Sequence, residues 1–142
     1  MIEVKIPFEI IELEDDSFHI LTNIKLSNGE AGLMVIDTGA SKTVLDKDFV
    51  GEEFFLEKND TDLKSGGLGG EIMDINLCSL DCIFLGDFKI EKITLAVIDL
   101  SAINELYLEH CNKRIAALLG SDILLKYKAI IDYGKSEMSF FV

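Results

Sequence analysis

The chain has 142 residues, 49% of them hydrophobic, which is enough for the core of one domain and too little for two ordinary ones. Thirteen Lys and Arg face twenty-six Asp and Glu, a net charge of −13. The resulting field repels phosphate backbones and anionic lipid, so neither nucleic acid nor a membrane is expected as a partner.

The opening "MIEVKIPFEI" lacks the basic flank of a secretory leader. Nowhere do about 18 apolar residues run together as a membrane-spanning helix requires, so a soluble, cytoplasmic protein is the expectation. The first half reads as strands: "EVKIPFEIIELE", then "FHILTNIKL", a turn signal at Asn28 and Gly29, and "AGLMVID", together a meander. His19 is read as a strand residue on a polar face.

After residue 45, short apolar pieces alternate with polar turns, and Gly66, Gly67, Gly69 and Gly70 form the chain's glycine cluster. Further strands are expected at "DCIFLGDFKI" and "KITLAVIDL". Cys78, Cys82 and Cys111 make an odd set, a poor disulfide framework that suits a reducing compartment. The spacing of "CSLDC" invites a zinc reading, but Leu77, Leu80 and Ile83 around it favour core or strand thiols, so no metal is expected.

From Ser101 the period changes. Ile103, Leu106, Tyr107 and His110 recur at helical spacing behind Ser101 as a candidate N-cap. A last unit, "IAALLGSDILLKYKAIIDYGKSEMSFFV", reads as an apolar strand, Gly120, a helical turn capped by Ser121, and a hairpin turning near Gly134. There is no internal repeat or linker signal, and one domain spanning residues 1–142 is expected.

The informative stretch is "VIDTGASKTVL", where an apolar strand ends on Asp37 and turns at once through Thr38, Gly39, Ala40 and Ser41. A carboxylate in that position is costly unless it is hydrogen-bonded or used in chemistry. An ordinary Asx-turn is one reading. "IDTGASKT" also resembles the phosphate loop of actin-like and sugar-kinase ATPases, but those close two domains over a nucleotide, more than this length supplies.

"DTGAS" is more specifically similar to the active-site loop of aspartic proteases, above all the retroviral-type, retropepsin-like family, where D-T-G-A follows a strand. Two further matches follow in the same order. "SGGLGGEI" resembles the glycine-rich flap of those enzymes, and "AALLGSDILLKY" resembles their apolar-apolar-Gly segment and following helix. The three span residues 33 to 133, and their order carries more weight than any one of them.

The resemblance implies an all-β, closed-barrel half-domain with one or two short helices. It also implies peptide-bond hydrolysis by a water held between two carboxylates that share a proton, with no cofactor. Only one Asp-Thr-Gly is present, and "DYG" at Asp132 reads as a turn, so the second carboxylate must come from another copy: a homodimer acting on an extended peptide.

By resemblance, Asp37 is catalytic. Thr38 would lock the two loops across the dimer, Gly39 would permit the tight turn, Ala40 would leave room for substrate, and Ser41 would complete the loop. Gly66, Gly67, Leu68, Gly69 and Gly70 would form the substrate-covering flap. Gly120 would let a second strand pass beneath the Asp37 loop. The competing implication is a catalytically silent module that binds a peptide in the same groove. Residues 79–113 exceed what a minimal retroviral protease needs and match no part of it.

Overall fold

Strands dominate the described residues of the computed structural model, which are 1–56 and 75–142. They are β1 (Glu3–Pro7), β2 (Glu9–Glu14), β3 (Ser17–Leu26), β4 (Ala31–Ile36), β5 (Val44–Asp46), β6 (Asn76–Leu85), β7 (Phe88–Ile98), β8 (Ile115–Leu119), β9 (Ile130–Asp132) and β10 (Glu137–Phe141). Two helices, α1 (Ser101–Cys111) and α2 (Ser121–Lys126), flank β8 in sequence. The expected flap residues Gly66, Gly67, Leu68, Gly69 and Gly70 lie outside the described residues. Among the described residues, no helix is long and apolar enough to cross a membrane.

The large sheet runs β2-β3-β4-β8-β5-β7-β6, and its far edge returns to β3. Ile24, Lys25 and Leu26 of β3 pair with Leu85, Phe84 and Ile83 of β6, closing β3 through β6 into a barrel. The expected meander is present as antiparallel β2-β3-β4, with the Asn28 and Gly29 turn between β3 and β4. There Gly29 takes φ +93°, and the Asn28 carboxamide accepts from the Glu30 N–H at 2.9 Å. This is the mainly β half-domain the sequence led us to expect, with two short helices.

Two cores explain why the strand before Asp37 is apolar without a break. Met34 and Ile36 point into the barrel with Ile24, Leu45, Ile83, Leu85 and Leu119. Val35, on the opposite face, joins Leu13, Leu21, Leu100, Tyr107 and Ile115 in a second cluster under α1. A strand covered on both faces loses its polar alternation. Each buried aliphatic side chain contributes about 1.5–3 kcal/mol, so a one-residue slip of β4 would be penalised on both sides at once.

The structure corrects several local expectations. "EVKIPFEIIELE" is two strands in different sheets: β1 pairs with β10 and β2 with β3. At the break, the Phe8 N–H turns to the Ser136 carbonyl and the Pro7 carbonyl accepts the Thr22 hydroxyl. Ser101 and Ser121 are first residues of their helices and not caps; the cap positions are Leu100 and Gly120, neither with a side-chain cap bond. Asp99 takes the polar role at α1 by accepting from the Ser101 N–H at 2.8 Å. The Ser101 hydroxyl, and after it that backbone bond, hold the Asp99 carboxyl below its usual range.

The buried stripe of α1 is also rotated from the apolar one. Asn104 and Tyr107 are its buried residues, while Leu106 is 38% exposed. Asn104 is buried because it mimics a strand, accepting from the Ile115 N–H at 2.6 Å and donating to the Ile115 carbonyl at 3.0 Å. Hydropathy cannot foresee a polar side chain that is satisfied only by a distant backbone.

Cys78 packs in the barrel core, and burial pushes its thiol up to about 11 against the pull of a Leu95 backbone hydrogen bond. All three cysteines are free.

Candidate functional site

Asp37 follows β4 directly, and its N–H donates to the Leu119 carbonyl at 2.9 Å, continuing the parallel β4–β8 ladder by one step. The chain then turns on its own aspartate. Asp37 Oδ1 accepts from the Gly39 N–H at 3.0 Å, and its carbonyl accepts from the Ala40 N–H at 3.1 Å. Asp37 is half-buried, and Thr38, Gly39 and Ser41 are exposed.

Gly39 is not among the glycines with positive φ. A side chain there would instead begin 3.3 Å from Asp37 Oδ1, so its smallness keeps the carboxylate's surroundings open. The carboxylate itself is held by a backbone donor, a geometry suited to a charged acceptor.

β8 lies between β4 and β5, the two strands that the Asp37 loop connects. It pairs parallel with β4 and antiparallel with β5, so Leu118 has Val35 on one side and Val44 on the other. The loop must therefore pass over the end of β8, where Gly120 sits. A Cβ on Gly120 would stand 2.6 Å from the Lys42 carbonyl carbon and 2.9 Å from the Ala40 oxygen.

A polar clasp closes this crossing. Thr43 is buried; its hydroxyl accepts from the Gly120 N–H at 2.9 Å and donates to Asp122 Oδ1 at 2.7 Å. The Thr43 N–H also donates to both Asp122 oxygens, at 3.0 and 3.1 Å, and the Ser121 N–H donates to the Ala40 carbonyl at 2.7 Å.

Neither Thr43 nor Asp122 stood out in the sequence. Their only signal is a hydroxyl closing the loop and an acid following Gly120, both ordinary near turns. Thr43→Val should cost about 2–3 kcal/mol, because it removes a bond to a carboxylate and leaves the Gly120 N–H unpaired in a dry place. Urea unfolding would read this, with Thr43→Ser restoring most of the loss; an unchanged midpoint for Thr43→Val would show the clasp to be idle.

Two grooves border the loop. The larger, about 710 Å³, is lined by Ala40, Ser41, Lys42, Thr43, Val44 and Leu118 among others. The smaller, about 290 Å³, contains Asp37 itself with His19, Val35, Tyr107 and Leu118.

His19 is not on an open polar face. Its Nδ1 lies 3.0 Å from the Tyr107 hydroxyl and its Nε2 lies 3.1 Å from the Ser17 hydroxyl. Burial, with smaller contributions from Cys111 and Asp37, pushes the Tyr107 hydroxyl up to about 12, so it is neutral at ordinary pH. Tyr107 was legible only as part of a helical stripe, and His19 only as a strand residue.

At Asp132, the "DYG" segment is a turn between β9 and β10, where Asp132 Oδ1 accepts from the Lys135 N–H at 3.0 Å.

A model of the aspartyl protease family matches residues 22–123, from β3 through the Asp37 loop and Gly120 into α2. Comparison with the curated proteins finds no match. Among solved structures, a retropepsin-like aspartic protease from Rickettsia conorii superposes with a TM-score of 0.53 at 18% identity, over 97% of this chain and 89% of that one. The retroviral protease-like domain of Ddi1 from Leishmania major superposes with a TM-score of 0.50 at 13% identity, over 80% of each chain. At such identities the two structures share the fold with this chain.

Proposed function

The chain belongs to the aspartyl protease family, and on that premise we propose that it is a homodimeric aspartic endopeptidase whose site is completed by Asp37 from each of two subunits. The observation that carries this reading is the Asp37 loop, with its carboxylate fixed by the Gly39 N–H and its backbone seated on the end of β8 at Gly120. These 142 residues hold a single Asp-Thr-Gly, which supports assigning the second carboxylate to a symmetry-related copy.

In the dimer, two carboxylates side by side share one proton, because both cannot stay ionised at that separation. The ionised one takes a proton from a bound water, which attacks the scissile carbonyl carbon. The protonated one donates to the carbonyl oxygen. The tetrahedral adduct then collapses: the C–N bond breaks, a proton passes to the leaving amine, and the pair returns to its singly protonated state. The Thr38 hydroxyls bond across the two-fold axis and hold the loops in register, and Ala40 leaves space for the substrate backbone.

An extended peptide fills the groove on the Ala40 to Val44 side, where the lining is mainly apolar. The family resemblance assigns the substrate-covering role to Gly66, Gly67, Leu68, Gly69 and Gly70, which lie outside the described residues. Alternating side chains of a strand-like substrate face opposite walls, so groove residues from both subunits read the sequence.

The test is whether activity needs assembly. Sedimentation and peptide cleavage, measured over the same concentration range, should fall together on dilution, with specific activity vanishing as monomer takes over. A strictly monomeric protein that cleaves at full rate would end the proposal.

A further inference from the structure

The reaction leaves two polar side chains beside Asp37 unused: His19 and Tyr107 share the smaller groove with it. The Tyr107 hydroxyl lies 3.0 Å from His19 Nδ1, the Ser17 hydroxyl lies 3.1 Å from Nε2, and the two rings meet edge to face with centroids 5.7 Å apart. The pair ties β3 to α1, in the stretch 79–113 for which the sequence offers no motif.

We propose that His19 is a positioning residue for Asp37: its protonated imidazole turns the Tyr107 hydroxyl proton toward the Asp37 side of the groove and sets a positive charge there, which extends cleavage to lower pH. The proposal rests on the endopeptidase reading and adds a pH control to it.

The charge of His19 decides where the Tyr107 proton points. Burial, with Cys111 and Asp37 adding to it, pushes the Tyr107 hydroxyl up to about 12, so it keeps its proton at ordinary pH. A neutral imidazole has one nitrogen free to accept, and Nδ1 can take the Tyr107 proton while the Nε2 N–H donates to Ser17. A protonated imidazole has no acceptor. Both ring N–H groups then donate, one to the Tyr107 oxygen and one to the Ser17 oxygen, and the Tyr107 proton rotates away from the ring. Both hydroxyl oxygens accept as readily as they donate, so the imidazole loses no bond.

Asp37 is the carboxylate on which this change acts. Apart from His19, Tyr107, Tyr133 and Asp37, the described residues lining the groove are apolar. Of the elements packed on His19, β2 places Ile11 opposite it and Glu12 across from Phe18. Glu9 and Glu14 of β2 are paired with Lys113 and His110, at 3.3 and 3.6 Å. α1 adds the Cys111 thiol, which donates to the Tyr107 carbonyl at 3.1 Å, and the turn after β9 brings Tyr133.

Histidine is the side chain that changes charge between about pH 5 and 8. The Asp37 pair needs one ionised member to activate water, and a positive charge nearby keeps that member ionised as pH falls. The acid limb of the rate profile therefore moves down.

The test measures kcat and KM from about pH 3 to about pH 8, on a peptide without ionisable side chains, for the wild-type protein, His19→Gln and Tyr107→Phe. The acid limb of kcat should lie at least about 0.5 pH unit lower in the wild-type protein than in His19→Gln, with Tyr107→Phe between them and KM little changed. Toward pH 8 the wild-type and His19→Gln rates should converge, because the imidazole has lost its charge. A general loosening of the groove would instead slow the variant at every pH.

The coupling is also read without cleavage and with His19 in place. The chain has two histidines, and NMR follows both in wild-type and Asp37→Asn protein, with His110→Gln assigning them. Loss of the carboxylate should lower the His19 titration midpoint by an amount similar to the shift of the acid limb, since the coupling is reciprocal.

Acid limbs that coincide in wild-type protein and His19→Gln would overturn the proposal and leave the endopeptidase standing. A shifted His19 midpoint in a protein that cuts no peptide at any pH would keep the coupling and overturn the endopeptidase. Neither cleavage nor a shifted midpoint overturns both.

Discussion

Asp37→Asn should lower kcat by about 10³-fold or more while leaving the fold and the dimer intact. The asparagine carbonyl oxygen can still accept from the Gly39 N–H that now meets Oδ1 at 3.0 Å, so the loop keeps its main internal bond. What disappears is the group that exchanges a proton with water, and general acid–base catalysis by a placed side chain contributes about 10²–10⁴-fold. In the proposed dimer both halves of that catalysis pass through one residue type.

The same variant tests the two-subunit site. If wild-type and Asp37→Asn chains are mixed in equal amounts and allowed to exchange, about a quarter of the dimers hold two aspartates, and activity should settle near one quarter of that of an all-wild-type sample. Activity near one half would mean that each chain works alone. Full activity in pure Asp37→Asn protein would remove the reaction from this loop altogether.

Gly120→Ala should be the most damaging single-methyl change in the described structure. The added carbon would lie 2.6 Å from the Lys42 carbonyl carbon, 2.8 Å from the Lys42 oxygen and 2.9 Å from the Ala40 oxygen. All three are backbone atoms, so no rotamer change relieves the clash, and either β8 or the Asp37 loop must move. Overpacking of this kind costs about 1–3 kcal/mol. In a domain of this size that is a loss of several degrees in Tm, which calorimetry resolves.

The functional loss should exceed the stability loss. Ala40 and Lys42 belong to the loop that carries Asp37, and a displacement of about 1 Å at a reacting group can cost on the order of 10²-fold. Gly120→Ala protein assayed well below its Tm should therefore be folded and slow. A variant with wild-type Tm and wild-type kcat would mean that the crossing is looser than these distances imply.

Much of the architecture was readable along the chain. Strand periodicity, the Asn28 and Gly29 turn, the change to helical spacing at Ser101 and the abrupt end of an apolar strand on Asp37 are all local. Each is written in a few adjacent side chains and their preferred backbone geometry, so each survives without knowledge of the rest of the fold. The limits of local reading are equally physical. Ser101 and Ser121 have the side chains of caps, yet the turn geometry places Leu100 and Gly120 in those positions.

A mainly β chain, an aspartate at a strand end and a single copy of its motif are all written in local stretches. What surrounds that aspartate depends on long-range packing. It put β8 between β4 and β5, joined Thr43 to Asp122 across 79 residues, and set Tyr107 against His19 across 88. It also showed Asn104 completing the backbone of Ile115, where polarity alone would have left it in solvent. Such contacts depend on which strand lies beside which, and that order is chosen by burying two cores at once, a property of the whole chain that no short stretch encodes.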